Sequence, residues 1–254
     1  MPKISAVIIT FNEELFIDKC LSSIGGVADE IVVVDSFSTD ATEEICKKYN
    51  VKFIKHKFEG YRDQKNYALT LATYNNILSL DADEALSDKL RESILAVKES
   101  WKYDGYLFNR RNNFCGKWIR YSAWYPDRQL RLFYSDKGKF GELNLHEKFI
   151  MSNGGTVSKL KGDLLHWTCT SLQDHLEKTN QFSIIGAKEY FNAGKKANIF
   201  TPYIHSIWGF IRSYVIRGGF LDGRNGLLIC SLYAKSTFKK YKYLRHLNSK
   251  GVTG

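Results

Sequence analysis

Short, continuous apolar runs alternate along the first eighty residues with segments whose apolar positions recur every three or four residues. Ser5-Ala6-Val7-Ile8-Ile9-Thr10, Glu30-Ile31-Val32-Val33-Val34-Asp35, Val51 to Ile54 and Ile77 to Leu80 read as strands buried on both faces. Between the first two, Leu15, Ile17, Cys20, Leu21 and Ile24 mark a helix that Gly25-Gly26 stops. Ser38-Thr39-Asp40 supplies capping side chains ahead of a helix over 41–49, and a further helix spans Tyr61 to Leu71. Strand alternating with helix at this spacing predicts an α/β fold built on a doubly wound, mostly parallel sheet.

Beyond a helix from Asp88 to about Ser100, which Ser87 caps, the alternation loosens. Gly105 to Asn109, Arg128 to Tyr134 and Leu164 to Trp167 read as strands separated by aromatic-rich loops. From Ser171 the pattern turns helical, which sets a predicted boundary between residues 1–170 and a helical C-terminal extension, 171–254. With 254 residues the chain is long enough for a full core. Its five cysteines are scattered, with no Cys-x-x-Cys pair, which favours reduced thiols in the cytoplasm over a disulfide framework or a zinc site. Met1-Pro2-Lys3-Ile4 runs straight into the first strand, so no signal peptide is expected, and no apolar run is long enough to cross a bilayer. The net charge of +10 calls for a polyanionic partner: nucleic acid, anionic lipid or a phosphorylated substrate.

Candidate chemistry begins at Asp81-Ala82-Asp83-Glu84, which ends the fourth strand. Alternation along a strand would put Asp81 and Asp83 on one side, and two carboxylates held close repel unless a cation or proton lies between them. At the carboxyl end of a parallel strand the expected guest is a divalent metal carrying a phosphate. A dinucleotide-dependent oxidoreductase is excluded at the same point. The first strand is followed by Thr-Phe-Asn-Glu-Glu in place of Gly-x-Gly-x-x-Gly.

Taken in order, Ala6 to Glu13, Val34-Asp35-Ser36-Phe37-Ser38-Thr39-Asp40 and Asp81-Ala82-Asp83 resemble a glycosyltransferase of family 2 with the GT-A nucleotide-diphospho-sugar-binding fold. Gln64 to Leu69, Arg128 to Phe133, His146-Glu147 and Gly219-Phe220-Leu221-Asp222-Gly223 resemble, more narrowly, bacterial transferases that build lipopolysaccharide cores. The similarity spans nearly the whole chain. The family's Asp-Gly-Ser or Asp-Ser-Gly-Ser after the second strand is here Asp35-Ser36-Phe37-Ser38, a mild departure.

The resemblance implies an inverting transfer from a nucleotide-diphospho-sugar, a UDP-sugar foremost, to a lipopolysaccharide-core or lipid-linked glycan. It also implies Mn²⁺ or Mg²⁺, held by Asp83 and by Asp81 directly or through water, neutralising the leaving diphosphate. Thr10, Asn12 and Glu13 of the first loop, together with Asp35 and Asp40, then face the donor's nucleoside. Arg62 and Lys65 either reach its phosphates or base, or lie on a solvated helix face. His166 is either a third metal ligand or a core histidine with a satisfied hydrogen bond. His146 and Glu147 are either an ordinary surface pair or the place where Glu147 takes the acceptor's proton, with Asp127 its rival and Glu142 a weaker one.

Aromatic and aliphatic positions from Phe200 to Tyr214, followed by Lys235, Lys239, Lys240, Lys242, Arg245 and Lys250, suit either an anchor on an anionic leaflet or a helical cap with a solvated basic end. The anchor would place the protein on the inner face of the cytoplasmic membrane. Two other activities remain as alternatives. A nucleotidyltransferase of similar fold usually carries a Gly-rich basic loop that Thr10 to Glu14 does not resemble, and a basic nucleic-acid-binding protein would need a motif the chain lacks.

Overall fold

The computed structural model describes residues 1–141, 148–152, 154–169 and 171–250. In chain order the elements are β1 (Ile4–Thr10), α1 (Ile17–Ser23), β2 (Glu30–Asp35), α2 (Thr42–Cys46), β3 (Lys52–Lys55), α3 (Tyr61–Thr70), β4 (Asn76–Asp81) and β5 (Glu84–Leu86). There follow α4 (Asp88–Glu99), β6 (Gly105–Phe114), β7 (Lys117–Trp118), β8 (Asp127–Tyr134), β9 (Gly138–Gly141), β10 (Lys148–Met151) and β11 (Val157–Cys169). Three long helices close the chain: α5 (Leu172–Asn192), α6 (Thr201–Ile211) and α7 (Gly223–Lys250). Among the described residues no helix is long and apolar enough to cross a membrane.

The chain divides into two compact units, Met1–Arg111 with Asp127–Trp167, and Asn112–Pro126 with Thr168–Gly254. The second unit thus takes back Asn112–Pro126, a segment the sequence pattern grouped with the first.

In the first unit the sheet order is β3-β2-β1-β4-β8-β6-β11-β5. The parallel half, β3-β2-β1-β4, is the doubly wound part anticipated above. β8 joins it antiparallel to β4, β6 antiparallel to β8, and β5 antiparallel to β11. Apolar runs are continuous in the parallel half because both faces are covered. Ile4, Ala6 and Ile8 of β1 pack with α1 and α4 through Leu21, Leu90 and Ile94. Val7 and Ile9 pack the other way, with Ala68 of α3 and Phe140 and Phe149 of the β9–β10 hairpin. Ser87 caps α4 by accepting a hydrogen bond from Leu90 N. There β11 runs so close that a Cβ on Gly162 would meet Leu90 N at 2.3 Å, and Gly162 has φ +97°.

The predicted helix over 41–49 shortens to α2, Thr42–Cys46, because Lys48 N and Tyr49 N close tighter turns on Ile45 O and Cys46 O in place of the i−4 ladder.

In the second unit α7 packs against both α5 and α6. Ser183 of α5 bonds Ser236 of α7, and Ser206 of α6 donates to Ala234 O. A π-helical turn (Arg212–Ile216) and a 3-10 turn (Gly219–Asp222) lead into α7. A Cβ on Gly226 would stand 1.8 Å from Gly219 O, so this backbone approach admits no side chain. Asp222 accepts hydrogen bonds from Arg120 N and Tyr121 N. The Gly219-to-Gly223 motif is therefore a close-packed joint within this unit.

Candidate active site

Asp81 is the last residue of β4 and Glu84 the first of β5, so Ala82-Asp83 form a turn, not a continued strand. That turn overrides the alternation expected of Asp81 and Asp83, and the two carboxylates face different partners. Asp81 is held by Lys65 Nζ at 2.8 Å and Arg131 at 2.7 Å. Arg131 also reaches Glu84 at 2.7 Å, Glu84 lies 3.4 Å from Arg110, and Arg110 pairs with Asp127 at 2.7 Å. Asp81 N in turn donates to Glu84 Oε2. Three cations and three carboxylates thus form one chain, with Glu84 fully buried and Arg131 4% exposed.

The local structure explains how charges came to be buried here. Tyr106 pairs with Leu132 and Leu107 with Leu130, so Arg131 is the extra residue of a β-bulge in β8. Bulges re-aim a side chain and interrupt the ladder. Burial pushes the Asp81 carboxyl up, but the Arg131 guanidinium and then the Lys65 ammonium override it and hold it well below the usual carboxylate range. Burial likewise lowers Arg131, and the carboxylates of Asp81 and Glu84 more than restore it, so its pKa is raised.

Asp83 turns instead toward β11. His166 Nε2 lies 3.3 Å from Asp83 Oδ2, Trp167 N donates to Asp83 O at 3.0 Å, and His166 pairs in register with Glu84. Two atoms that each bind one ion at about 2.1 Å and at right angles stand about 3 Å apart. The Asp83–His166 pair meets that condition. Asp81 does not join it, and no group of three or more metal-binding side chains gathers among the described residues.

At the carboxyl ends of β1 and β2 two loops are stitched together. Asn12 N donates to Ser38 Oγ, Asn12 Oδ1 accepts from Thr39 N, and Asp40 accepts from Glu14 N. Glu13 N donates to Thr42 Oγ1, and Thr10 is buried at the strand end with its hydroxyl unpartnered. Asp35 is fully buried and accepts from Ser38 N and Ser38 Oγ. Asn12 and Phe37 have φ of +54° and +63°, a left-handed conformation that costs a non-glycine residue on the order of 1–2 kcal/mol. Phe37 stands where the resembled pattern has glycine, and Phe11 and Phe37 are each 56% exposed. Strain of this kind gathers at ligand sites.

The structure brings Lys65, Asp81, Asp83 and His166 together at the β4 end, and Thr10, Asn12, Glu13, Asp35 and Asp40 at the adjoining loops. Lys65 is not on a solvated helix face: it is buried against Asp81 and the Phe140 ring. Arg62 is on such a face, paired with its neighbour Asp63. His146, Glu147 and Glu142 lie outside the described residues. Asp127 accepts from Arg110 on one oxygen and from Gln129 on the other. Sequence reasoning missed Glu84, Arg110 and Arg131. A glutamate at the end of an acidic cluster and an arginine inside an apolar strand were the available signals, but the bulge that joins them is invisible to period counting.

Residues 5–154 match the family model "Glycosyl transferase family 2". The chain belongs to that family. It is 30% identical over 98% of its length, and 89% of the relative's, to an uncharacterized glycosyltransferase of Rickettsia typhi. It is 29% identical over 95% of its length, and 94% of the relative's, to the lipopolysaccharide core biosynthesis glycosyltransferase LpsC of Rhizobium meliloti. Among solved structures, S. aureus TarS residues 1–349 align at 17% identity over 98% of this chain and 92% of that one, with a TM-score of 0.45.

Proposed function

We propose that this glycosyltransferase moves a sugar from a nucleotide-diphospho-sugar, a UDP-sugar foremost, to a lipopolysaccharide-core or lipid-linked glycan at the inner face of the cytoplasmic membrane. The observation that carries the donor half is the Asp83–His166 pair at 3.3 Å, at the β4 end beside the stitched loops of β1 and β2. A divalent ion, Mn²⁺ or Mg²⁺, suits that carboxylate–imidazole pair and would neutralise charge on the departing diphosphate. The acceptor half rests on the similarity to LpsC.

Each protein group then has a part. Asp81, held by Lys65 and Arg131, fixes the turn that presents Asp83. Asp35, buried at the end of β2, fixes Ser38 and through it the loop that faces the nucleoside, and the exposed rings of Phe11 and Phe37 offer faces for the base to stack on. Inversion is one direct displacement, so a carboxylate must take the acceptor hydroxyl's proton on the side opposite the diphosphate. Glu147 is assigned that role. Asp127 is already engaged by Arg110 and Gln129, one on each oxygen.

Thermal-shift measurements against UDP-, GDP-, CMP- and dTDP-sugars, with and without Mn²⁺, test the reading, since a ligand of the folded state raises the melting temperature. The expected result is a Mn²⁺-dependent shift with one nucleotide class. Asp83→Asn abolishes that shift, while Glu147→Gln keeps it and lowers turnover by at least about 100-fold. An unchanged Mn²⁺ dependence in Asp83→Asn removes the metal assignment, and near-normal turnover in Glu147→Gln moves the base elsewhere.

A further inference from the structure

Between residue 190 and the end of the chain there are eleven Lys and Arg and one acidic residue, Asp222. That segment therefore carries the whole net charge of +10, and residues 1–189 are balanced. The same segment carries the largest run of exposed apolar side chains. On α6, Phe200, Tyr203, Ile204, Ile207, Trp208 and Ile211 are each 40–66% exposed. At about 100° per residue they fall within an arc of about 140°. Pro202 and Gly209, on the opposite side, are the buried positions, and Gly209 faces Tyr233 of α7. The helix has spent its small residues on packing and turned its large ones to solvent. The stripe continues past the helix end through Val215 and Ile216, with Arg212 and Arg217 exposed among them.

We infer that the α6 stripe, from Phe200 to Ile216, inserts in the plane of an anionic lipid leaflet. This rests on the proposed lipid-linked acceptor and deepens it by naming the face that meets the membrane. An 11-residue helix is about 16 Å long, half the thickness of a bilayer's hydrocarbon core, so it lies along the surface and does not cross it. Trp208 and Tyr203 are suited to the headgroup level, and Arg212 and Arg217 reach lipid phosphates from the edge of the stripe. Charge complementarity selects lipid over a second copy of the chain, because two such faces would bring like charges together.

Two of the basic positions of α7 are engaged within the helical unit. Lys239 donates to Asn180 of α5, and Lys240 lies over the rings of Tyr190 and Tyr241.

The test is co-sedimentation of the full chain with mixed phosphatidylcholine–phosphatidylglycerol vesicles and with pure phosphatidylcholine vesicles, without donor or metal. Its outcome is thus independent of the donor assignment. The wild type is expected to bind the anionic vesicles at least about tenfold more tightly than the neutral ones. The double variant Ile207→Asp/Ile211→Asp changes only exposed positions, and it is expected to lose that binding while its melting temperature stays unchanged. Equal binding by the variant and the wild type overturns the inference. So does a wild type that ignores vesicles but forms a dimer that the variant breaks, since the occupant would then be a second copy. Should the double variant unfold, Ile204→Ser alone, with at least a threefold loss of binding expected, carries the test.

Discussion

Arg131 in the sheet unit and Arg212 in the helical unit are the same side chain put to opposite uses. Arg131 is nearly inaccessible, reaches two carboxylates at 2.7 Å, and belongs to a chain of charges that sums to zero. Arg212 stands exposed on a segment where eleven cations meet one carboxylate. The first arrangement fixes geometry: a buried charge must be matched, so the loops it holds can take few positions. The second leaves charge unmatched at a surface, where it is available to an anionic partner. The proposed transfer to a lipid-linked acceptor would use both, one unit to hold a donor rigidly and another to meet a charged surface.

The sharpest way to break the comparison is to remove the buried cation. Arg131→Met leaves Asp81 and Glu84 facing each other, and a loss of about 3–5 kcal/mol in denaturant-derived stability is expected. A loss below about 1 kcal/mol would mean that Lys65 and Arg110 take up both carboxylates, and that the bulge at Arg131 is not what organises the turn.

The second effect is a difference in acid sensitivity. Burial among Phe114 and Trp124, and then the charge of Lys178, lowers the pKa of His175 in the helical unit. The folded form therefore holds fewer protons than the unfolded one. The stability His175 contributes is present above its unfolded value of about 6.5 and is lost as the pH falls through its lower folded value. In the sheet unit burial raises Asp29, but its hydrogen bond and charge contact with Lys98 win and lower it. That contribution is complete above about 3.9 and disappears only as the pH falls further. Hydrogen exchange is expected to show α5 amides losing protection below about pH 6.5 while those of β1 and β2 hold, and His175→Phe should flatten the α5 response. Equal responses in the two units would contradict the assignment.

The smallest effect tests the other side of the comparison. Lys242 is exposed on α7, and Lys242→Ala is expected to change stability by no more than about 0.5 kcal/mol. A larger loss would mean that the basic surface helps hold the helices together.

Much of the first unit was legible because its signals are local. Continuous apolar runs from Ala6 to Ile9 and from Ile31 to Val34 require cover on both faces, and the residues that end those strands have to meet the ligand side of a parallel sheet. The pairing of Asp83 with His166 is less local. The resemblance offered His166 either as a metal ligand or as a core histidine, and the 82 residues between it and Asp83 give no periodic hint of their contact.

What the sequence by itself determined was the alternation of strand and helix, the place of the acidic turn, and the concentration of positive charge after residue 190. Each depends on residue type and spacing along the chain, which folding does not alter. Only the tertiary structure decided that Asp81 belongs to Lys65 and Arg131 while Asp83 belongs to His166, because a two-residue turn and a one-residue bulge each reset the direction in which a side chain points. It also decided which face of α6 is left to solvent. That outcome depends on where α7 can approach closely enough to bury Gly209, a matter of backbone proximity that an apolar residue count cannot register.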